Sequence, residues 1–289
     1  MKPSFAIVGC GKVGTAVAKY LTELGYPVAG LACLTLSSAR KLADLVGADR
    51  VSTAAWEITL TADVVFITTP DDRIEPVCNT IAQKGGFKKD AVVLHCSGAL
   101  PSTILSSARS CGAAIGSLHP LQSFASTTFD RNPFTGIITD VEGDAAAVAL
   151  AQKIATDLGA TSLPIKTDAK TLFHASAVVA SNYLVSVLDL AFAFMGEAGV
   201  SRKEAWGVLK PLVDGTLSNV GKVGIPDALT GPIARGDVET VARHIKTIDE
   251  KTPGLLSLYK ALGQHTITVA LAKGSLEENA AEALKKILS

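Results

Sequence analysis

The sequence predicts an α/β domain built on a mostly parallel sheet, followed by an all-helical domain. Three observations carry this reading. Short apolar runs bounded by turn residues recur near residues 4–9, 28–33, 63–68, 91–95, 113–118, 135–139 and 161–165, with helical periodicities between several of them. After about Pro164 the strand pattern stops, and apolar residues follow helical spacing over roughly 167–198, 201–213, 214–223, 237–247, 252–271 and 276–288. The string Gly9-Cys10-Gly11-Lys12-Val13-Gly14 directly follows the apolar run Phe5-Ala6-Ile7-Val8, which marks a strand turning sharply into a helix. The expected domains span residues 1–165 and 166–289, with no Gly/Ser or Pro-rich linker between them.

The first element pair is the most specific. In such a string the first glycine allows the tight turn, the second lets backbone approach a pyrophosphate, and the third lets helix pack on strand. Val13, Val17, Tyr20, Leu21 and Leu24 continue at helical spacing, and Pro27 to Ala32 reads as the next strand. Residues 9–14 are therefore a candidate dinucleotide site, its phosphates seated on a helix N-terminus. An NAD-binding version places an Asp or Glu about 20 residues beyond the glycines. This chain has none there. It offers Thr35, Ser37, Ser38, Arg40 and Lys41, which could surround a 2′-phosphate, so the reading tilts to NADP and leaves NAD open. The competing reading makes Ser37 a helix cap and the two cations a solvated face.

Right-handed crossovers would gather the loops at the strands' C-terminal ends over one crevice. Thr69-Pro70-Asp71, Ser97-Gly98 and Ser117-Leu118-His119-Pro120 all follow expected strands. The first two are assigned to the cofactor and His119 to the substrate side.

On the helix from about Thr167, Lys170 and His174 are four residues apart and share a face, with Ser181 and Asn182 near it two turns on. His174 is the first choice for giving or taking a proton, because imidazole titrates nearest neutral pH. Lys170 would do the same if desolvated, or would fix a substrate carboxylate. Asn182 and Ser181 sit among apolar residues, where an unpaired buried amide costs about 1–3 kcal/mol, so partners are expected for them. In Leu229 to Asp237, Asp237 caps a helix, while Thr230 and Arg235 are left to reach a pocket or a second subunit. His95 reads as a core residue, and His244 and His265 lack companion groups.

Composition excludes several classes. Lysines and arginines balance acids at 27 each with no long run of one sign, so neither nucleic acid nor an anionic membrane is an expected partner. Residues 175–193 are apolar, but Ser176, Ser181, Asn182, Ser186 and Asp189 interrupt them, and a buried helix is expected rather than a span. The five cysteines lack CxxC spacing and read as small core residues. No GxSxG elbow and no metal-ligand spacing occurs, so neither serine hydrolysis nor a bound metal is expected. The chain enters a strand within about five residues, leaving no room for a signal peptide, and a cytoplasmic location is expected.

These motifs together resemble the Rossmann-like family carrying domain of unknown function 2520: Gly9 to Gly14, Pro70-Asp71-Asp72, His95 to Leu100, Ser117 to Phe124, Phe173-His174-Ala175 with Ala180 to Tyr183, and Leu229 to Asp237. That family is similar to pyrroline-5-carboxylate reductase, ketopantoate reductase and the deazaflavin-dependent NADP oxidoreductases. The resemblance implies an NADP-binding N-terminal domain and a helical 6-phosphogluconate-dehydrogenase-like C-terminal domain. It also implies a homodimer whose C-terminal helices contribute to both sites. The chain departs from the hydroxyacid dehydrogenases in having Lys170 then His174, where they place Lys then Asn. Thr230-Gly231-Pro232 is similar in part to the substrate loop of pyrroline-5-carboxylate reductase, and Leu34 stands where relatives often carry arginine. The expected activity is hydride transfer between a nicotinamide and a small C=O or C=N substrate in the inter-domain cleft. A non-catalytic NADP-binding sensor or assembly protein, and a deazaflavin-dependent reductase, are the alternatives.

Overall fold

The computed structural model describes all 289 residues, which form two compact units, Met1–Ala180 and Ser181–Ser289. The first unit runs β1 (Phe5–Val8), α1 (Lys12–Glu23), β2 (Val28–Ala32), α2 (Leu36–Val46), β3 (Val51–Ser52), α3 (Ala55–Thr59), β4 (Val64–Ile67), α4 (Asp71–Gln83) and β5 (Val92–His95). It continues with α5 (Ser106–Ser110), β6 (Ala114–Pro120), β7 (Ile138–Gly143), α6 (Ala145–Asp157), β8 (Thr161–Pro164) and α7 (Lys170–Val178).

One sheet holds all eight strands in the order β3-β2-β1-β4-β5-β6-β7-β8. The first six are parallel, β7 runs antiparallel to β6, and β8 is parallel to β7. β1 (FAIV) and β4 (VVFI) are buried at every position, because crossover helices cover both faces of a parallel sheet. Alternate residues feed two cores. Phe5, Ile7, Phe66, Leu94, Leu118 and Val141 pack with Val17 and Leu21 of α1 and Ile154 of α6. Ala6, Val8, Val65, Ile67, Val93 and Ile115 pack with Ile74, Cys78 and Ile81 of α4. The strand order reverses between β1 and β4, the switch point where open sheets of this kind hold ligands.

Two differences from the sequence expectation lie in the sheet. β3, two residues long, carries no periodic signal. The strand expected at 135–139 runs instead over Ile138–Gly143, because its acids Asp140 and Glu142 alternate with a buried valine and are themselves buried.

The second unit contains α8 (Leu184–Glu197), α9 (Arg202–Val223), α10 (Ile225–Ala228), α11 (Val238–Lys251), α12 (Leu256–Lys273) and α13 (Glu278–Leu288). Val241, Ile267, Ala270, Leu284 and Leu288 form the core of α11, α12 and α13. The break expected at 213/214 is absent. α9 continues past exposed Pro211 and Asp214-Gly215, a helical glycine costing only about 1 kcal/mol.

The segment Thr167–Glu197 corrects another expectation. It is long and apolar enough to cross a membrane by length and composition, yet only 6% of its most apolar stretch is buried. Leu172, Val179, Tyr183 and Val185 are exposed. Its alanines and valines lie all round rather than on one stripe, so periodicity does not tell what covers them. The compact units divide within it, later than residue 165, because Lys170 is locked into the sheet of the first unit.

Candidate functional site

The nucleotide end is assembled from backbone. Gly9 ends β1 with φ of +110°, and a Cβ there would stand 2.8 Å from the Thr68 carbonyl and the Thr69 nitrogen at the end of β4. A Cβ on Gly14 would overlap the Gly9 carbonyl and the Thr68 hydroxyl, so α1 can start this close to β4 only with glycine there. Gly11, by contrast, has open space where its Cβ would be. No side chain caps α1, which leaves its first N–H groups without a side-chain partner. Thr69 Oγ1 is buried without a partner beside the same turn. A bare helix N-terminus, an open glycine and an orphaned hydroxyl at the switch point fit a dinucleotide pyrophosphate.

The surroundings of β2 divide the expected residues. Thr35 rather than Ser37 caps α2, its side chain accepting from Ser38 N at 3.3 Å, and the hydroxyls of Ser37 and Ser38 bond to it. Thr35 has the N-cap backbone, whereas Ser37 is already inside the helix. Leu34 is 94% exposed, and Arg40 and Lys41 are exposed and unpaired by any acid. No carboxylate stands here to hold a ribose 2′-hydroxyl. Burial, then neighbouring Cys33, pushes the Cys10 thiol up to about 12, which disfavours its thiolate. Lys12 and Val13 form the first turn of α1, while Pro70 and Asp71 open α4. Ser97 is committed to its own loop, its hydroxyl accepting from Ala99 N and Leu100 N at 3.2 Å each.

The other end of the carboxyl edge is built from side chains. Beyond Val93 and Ile115 one face of the sheet turns polar. Register pairs His95 with Ser117, Ser117 with Glu142, and His119 with Asp140. Lys170 of α7 descends onto this layer and is fully buried, its ammonium donating to Asp140 Oδ2 at 2.9 Å and Ser117 Oγ at 2.7 Å. Asp140 Oδ1 lies 2.6 Å from His119 Nδ1. Burial alone would push the Asp140 carboxyl up, but the His119 hydrogen bond and the Lys170 charge outweigh it and hold the carboxyl below its ordinary range. Glu142 accepts from Ser102 N, Ser102 Oγ and Thr167 Oγ1 at 2.7–2.8 Å, which anchors the start of the α7 segment.

Two imidazoles face each other above this layer. The His119 and His174 rings meet edge to face at 5.9 Å between centroids. A methyl on Gly98 would lie 2.5–2.6 Å from atoms of both, so glycine is what lets them close in. His95 is walled in: its Nδ1 accepts from Ser97 N, and burial, then the Lys170 charge, pushes its pKa down to about 3, so it stays neutral.

His119, His174 and Lys170 are thus brought together, but Lys170 is enclosed and satisfied by protein groups. Asp140, which completes the cluster, was not singled out from sequence, and Ser117 was named only as the start of the Ser117–Pro120 loop without a role. Ser181 and Asn182 lie in a π-helical turn, Val179–Tyr183, and both are exposed, so the burial cost that called for partners does not arise. Thr230 and Arg235 are exposed in the turns between α10 and α11 of the second unit.

Residues 2–120 match the family described as a Rossmann-like domain, and residues 137–266 match the domain of unknown function DUF2520. The chain thus pairs the two domains that its motifs resemble. No curated protein matches it. Among solved structures, the protein TM1727 of Thermotoga maritima superposes with a TM-score of 0.72 at 26% identity, covering 93% of this chain and 99% of that one. A protein of Bacteroides fragilis, proposed to be an NADP oxidoreductase, gives 0.72 at 22% identity over 92% and 98%. A reductive aminase of Aspergillus terreus, solved with NADPH and ethyl levulinate, gives 0.62 at 15% identity over 100% and 93%.

Proposed function

From this pairing of a Rossmann-like domain with DUF2520, we propose an NADP-dependent oxidoreductase, NAD being the second choice of cofactor, that moves a hydride between the nicotinamide and a small C=O or C=N substrate. The observation that carries the reading is the shared carboxyl edge of the sheet. It presents an uncapped glycine turn at the switch point and, two strands along, a carboxylate-held imidazole. Similar folds support it, one of them solved with NADPH and a keto ester.

The bound nicotinamide would supply or accept the hydride. Gly9, Gly11 and the first N–H groups of α1 would hold the pyrophosphate, and Thr69, Pro70, Asp71, Ser97 and Gly98 would border the nicotinamide half. Exposed Arg40, with Ser37 and Ser38, would meet the 2′-phosphate, since no acid repels it there. His119 and His174 would exchange the proton that must accompany hydride transfer. Lys170 supports His119 through Asp140 rather than binding substrate, because it is fully buried and donates to Asp140 and Ser117. Ser181, Asn182, Thr230 and Arg235 enter as substrate-side residues through the resemblance.

The exposed apolar residues of α8 and α9, among them Val185, Trp206, Leu212 and Leu217, would be covered by a second copy in a homodimer. Asp189 and its partner Arg202 favour a protein surface over a lipid one for this face, and the protein would be cytoplasmic.

The test is a screen of ketones, imines and 2-keto acids for NADPH oxidation. With an accepted substrate, removing the proton-exchanging imidazole lowers kcat by about 10²–10⁴-fold. Full turnover in both His119→Ala and His174→Ala would remove the proton role from this cluster.

A further inference from the structure

We propose that Asp140 and Lys170 act as one positioning pair that fixes the tautomer of His119, making His119 Nε2, rather than His174, the atom that exchanges the proton. The inference rests on the oxidoreductase reading for the reaction itself, but its structural half stands on geometry alone.

An ionised carboxylate only accepts hydrogen bonds. Asp140 is fully buried, and its Oδ2 is held by the Lys170 ammonium at 2.9 Å, which leaves Oδ1 facing His119 Nδ1 at 2.6 Å. Nδ1 must therefore donate. In the neutral ring the lone pair is then on Nε2, the nitrogen that lies 2.6 Å from the position a Gly98 methyl would take, on the side turned towards His174. No hydrogen bond to a protein group holds either ring nitrogen of His174, so nothing fixes its tautomer. His95 is held in the opposite sense, with Nδ1 as acceptor, and is enclosed. Of the three imidazoles near the crevice, His119 alone has a defined tautomer and an open nitrogen.

In the reducing direction the substrate carbon gains the hydride, its oxygen or nitrogen takes the Nε2 proton of the imidazolium, and the ring is left neutral with Nδ1–H on Asp140. In the oxidising direction Nε2 takes the proton back.

Lys170 gives this arrangement a distinctive signature. An ammonium can only donate. In Asp140→Asn, Lys170 would claim the amide oxygen and turn the NH₂ towards His119 Nδ1, forcing that nitrogen to accept and moving the ring proton to Nε2. Replacing the ammonium as well, in Lys170→Met/Asp140→Asn, frees the amide to rotate and restores Nδ1–H. A merely structural role for Asp140 would produce no such reversal and rescue.

Long-range ¹H–¹⁵N correlation spectra of the full chain, with ¹⁵N-labelled histidine and at a pH where the rings are neutral, read the tautomer directly. His119→Gln identifies the signal. The expected pattern is protonated Nδ1 in the unaltered protein, protonated Nε2 in Asp140→Asn and protonated Nδ1 again in the double variant. Protonated Nε2 in the unaltered protein overturns the proposal, and that arm needs no variant to fold. With an accepted substrate, Asp140→Asn should lose about 100-fold or more in kcat with KM within about 3-fold, and the double variant should recover part of it. Loss of turnover in His174→Ala but not in His119→Ala also overturns it. If no substrate oxidises NADPH while the spectra show the expected pattern, the reaction reading fails and the tautomer assignment stands.

Discussion

The nucleotide end of the carboxyl edge is made almost wholly of backbone, whereas the proton end, two strands away, is made of side chains drawn from three segments, β6, β7 and α7. At the first, Gly9, Gly11 and Gly14 work by what they lack. At the second, Asp140, Lys170, His119 and Ser117 work by satisfying one another, the first two and Ser117 fully buried. The two should respond in opposite ways to substitution: the backbone site loses binding with little loss of stability wherever there is open space, and the side-chain site loses stability first.

The largest effect is expected at the side-chain end. Asp140→Ala strands a buried ammonium and should cost about 3–5 kcal/mol in urea unfolding. Gly14→Val drives a side chain into the Gly9 carbonyl, which should cost about 1–3 kcal/mol and abolish NADPH binding by calorimetry. Gly11→Ala sharpens the contrast. With nothing near its Cβ, stability should stay within about 0.5 kcal/mol, while NADPH binding weakens because the methyl occupies the phosphate approach.

Acid should weaken the fold through its paired carboxylates. Folding lowers the carboxyls of Asp140 and of Asp63, the latter from 3.8 to about 2 through Lys88 and Ser4. Their contributions are complete above the unfolded value and fade as pH falls through the folded ones. The urea midpoint of the unaltered protein should therefore drop below about pH 4, and less so in Asp140→Asn, whose amide does not titrate. The smallest effect is expected at Arg40, where Arg40→Ala should narrow the preference for NADPH over NADH by roughly 1.5–5-fold, the range of one exposed charge contact.

The same contrast explains what the sequence disclosed. Gly9 to Gly14 is a local signal: six consecutive residues after an apolar run specify the turn, the helix start and the open approach. The polar layer is not local. Asp140 meets His119 only because β7 returns antiparallel after a long loop, and it meets Lys170 only because α7 lies over that face. The expected strand stopped at residue 139, one position short. The available signal was the alternation Thr139-Asp140-Val141-Glu142, acids flanking a valine in a strand context, which marks a face too polar to be ordinary core. Lys170 and His174 were legible as a helical pair, but their spacing could not say that one is enclosed and the other open. The Thr167–Glu197 helix was legible as apolar but not as exposed, since periodicity reports a need for cover and not its source.

Equilibrium titration of the full chain with NADPH and with NADH tests the central claim most directly. Saturable binding of one nucleotide per chain is expected, tighter for NADPH, lost in Gly14→Val and retained in Asp140→Asn. Absence of saturable binding for both nucleotides would contradict the nucleotide site and the oxidoreductase built on it.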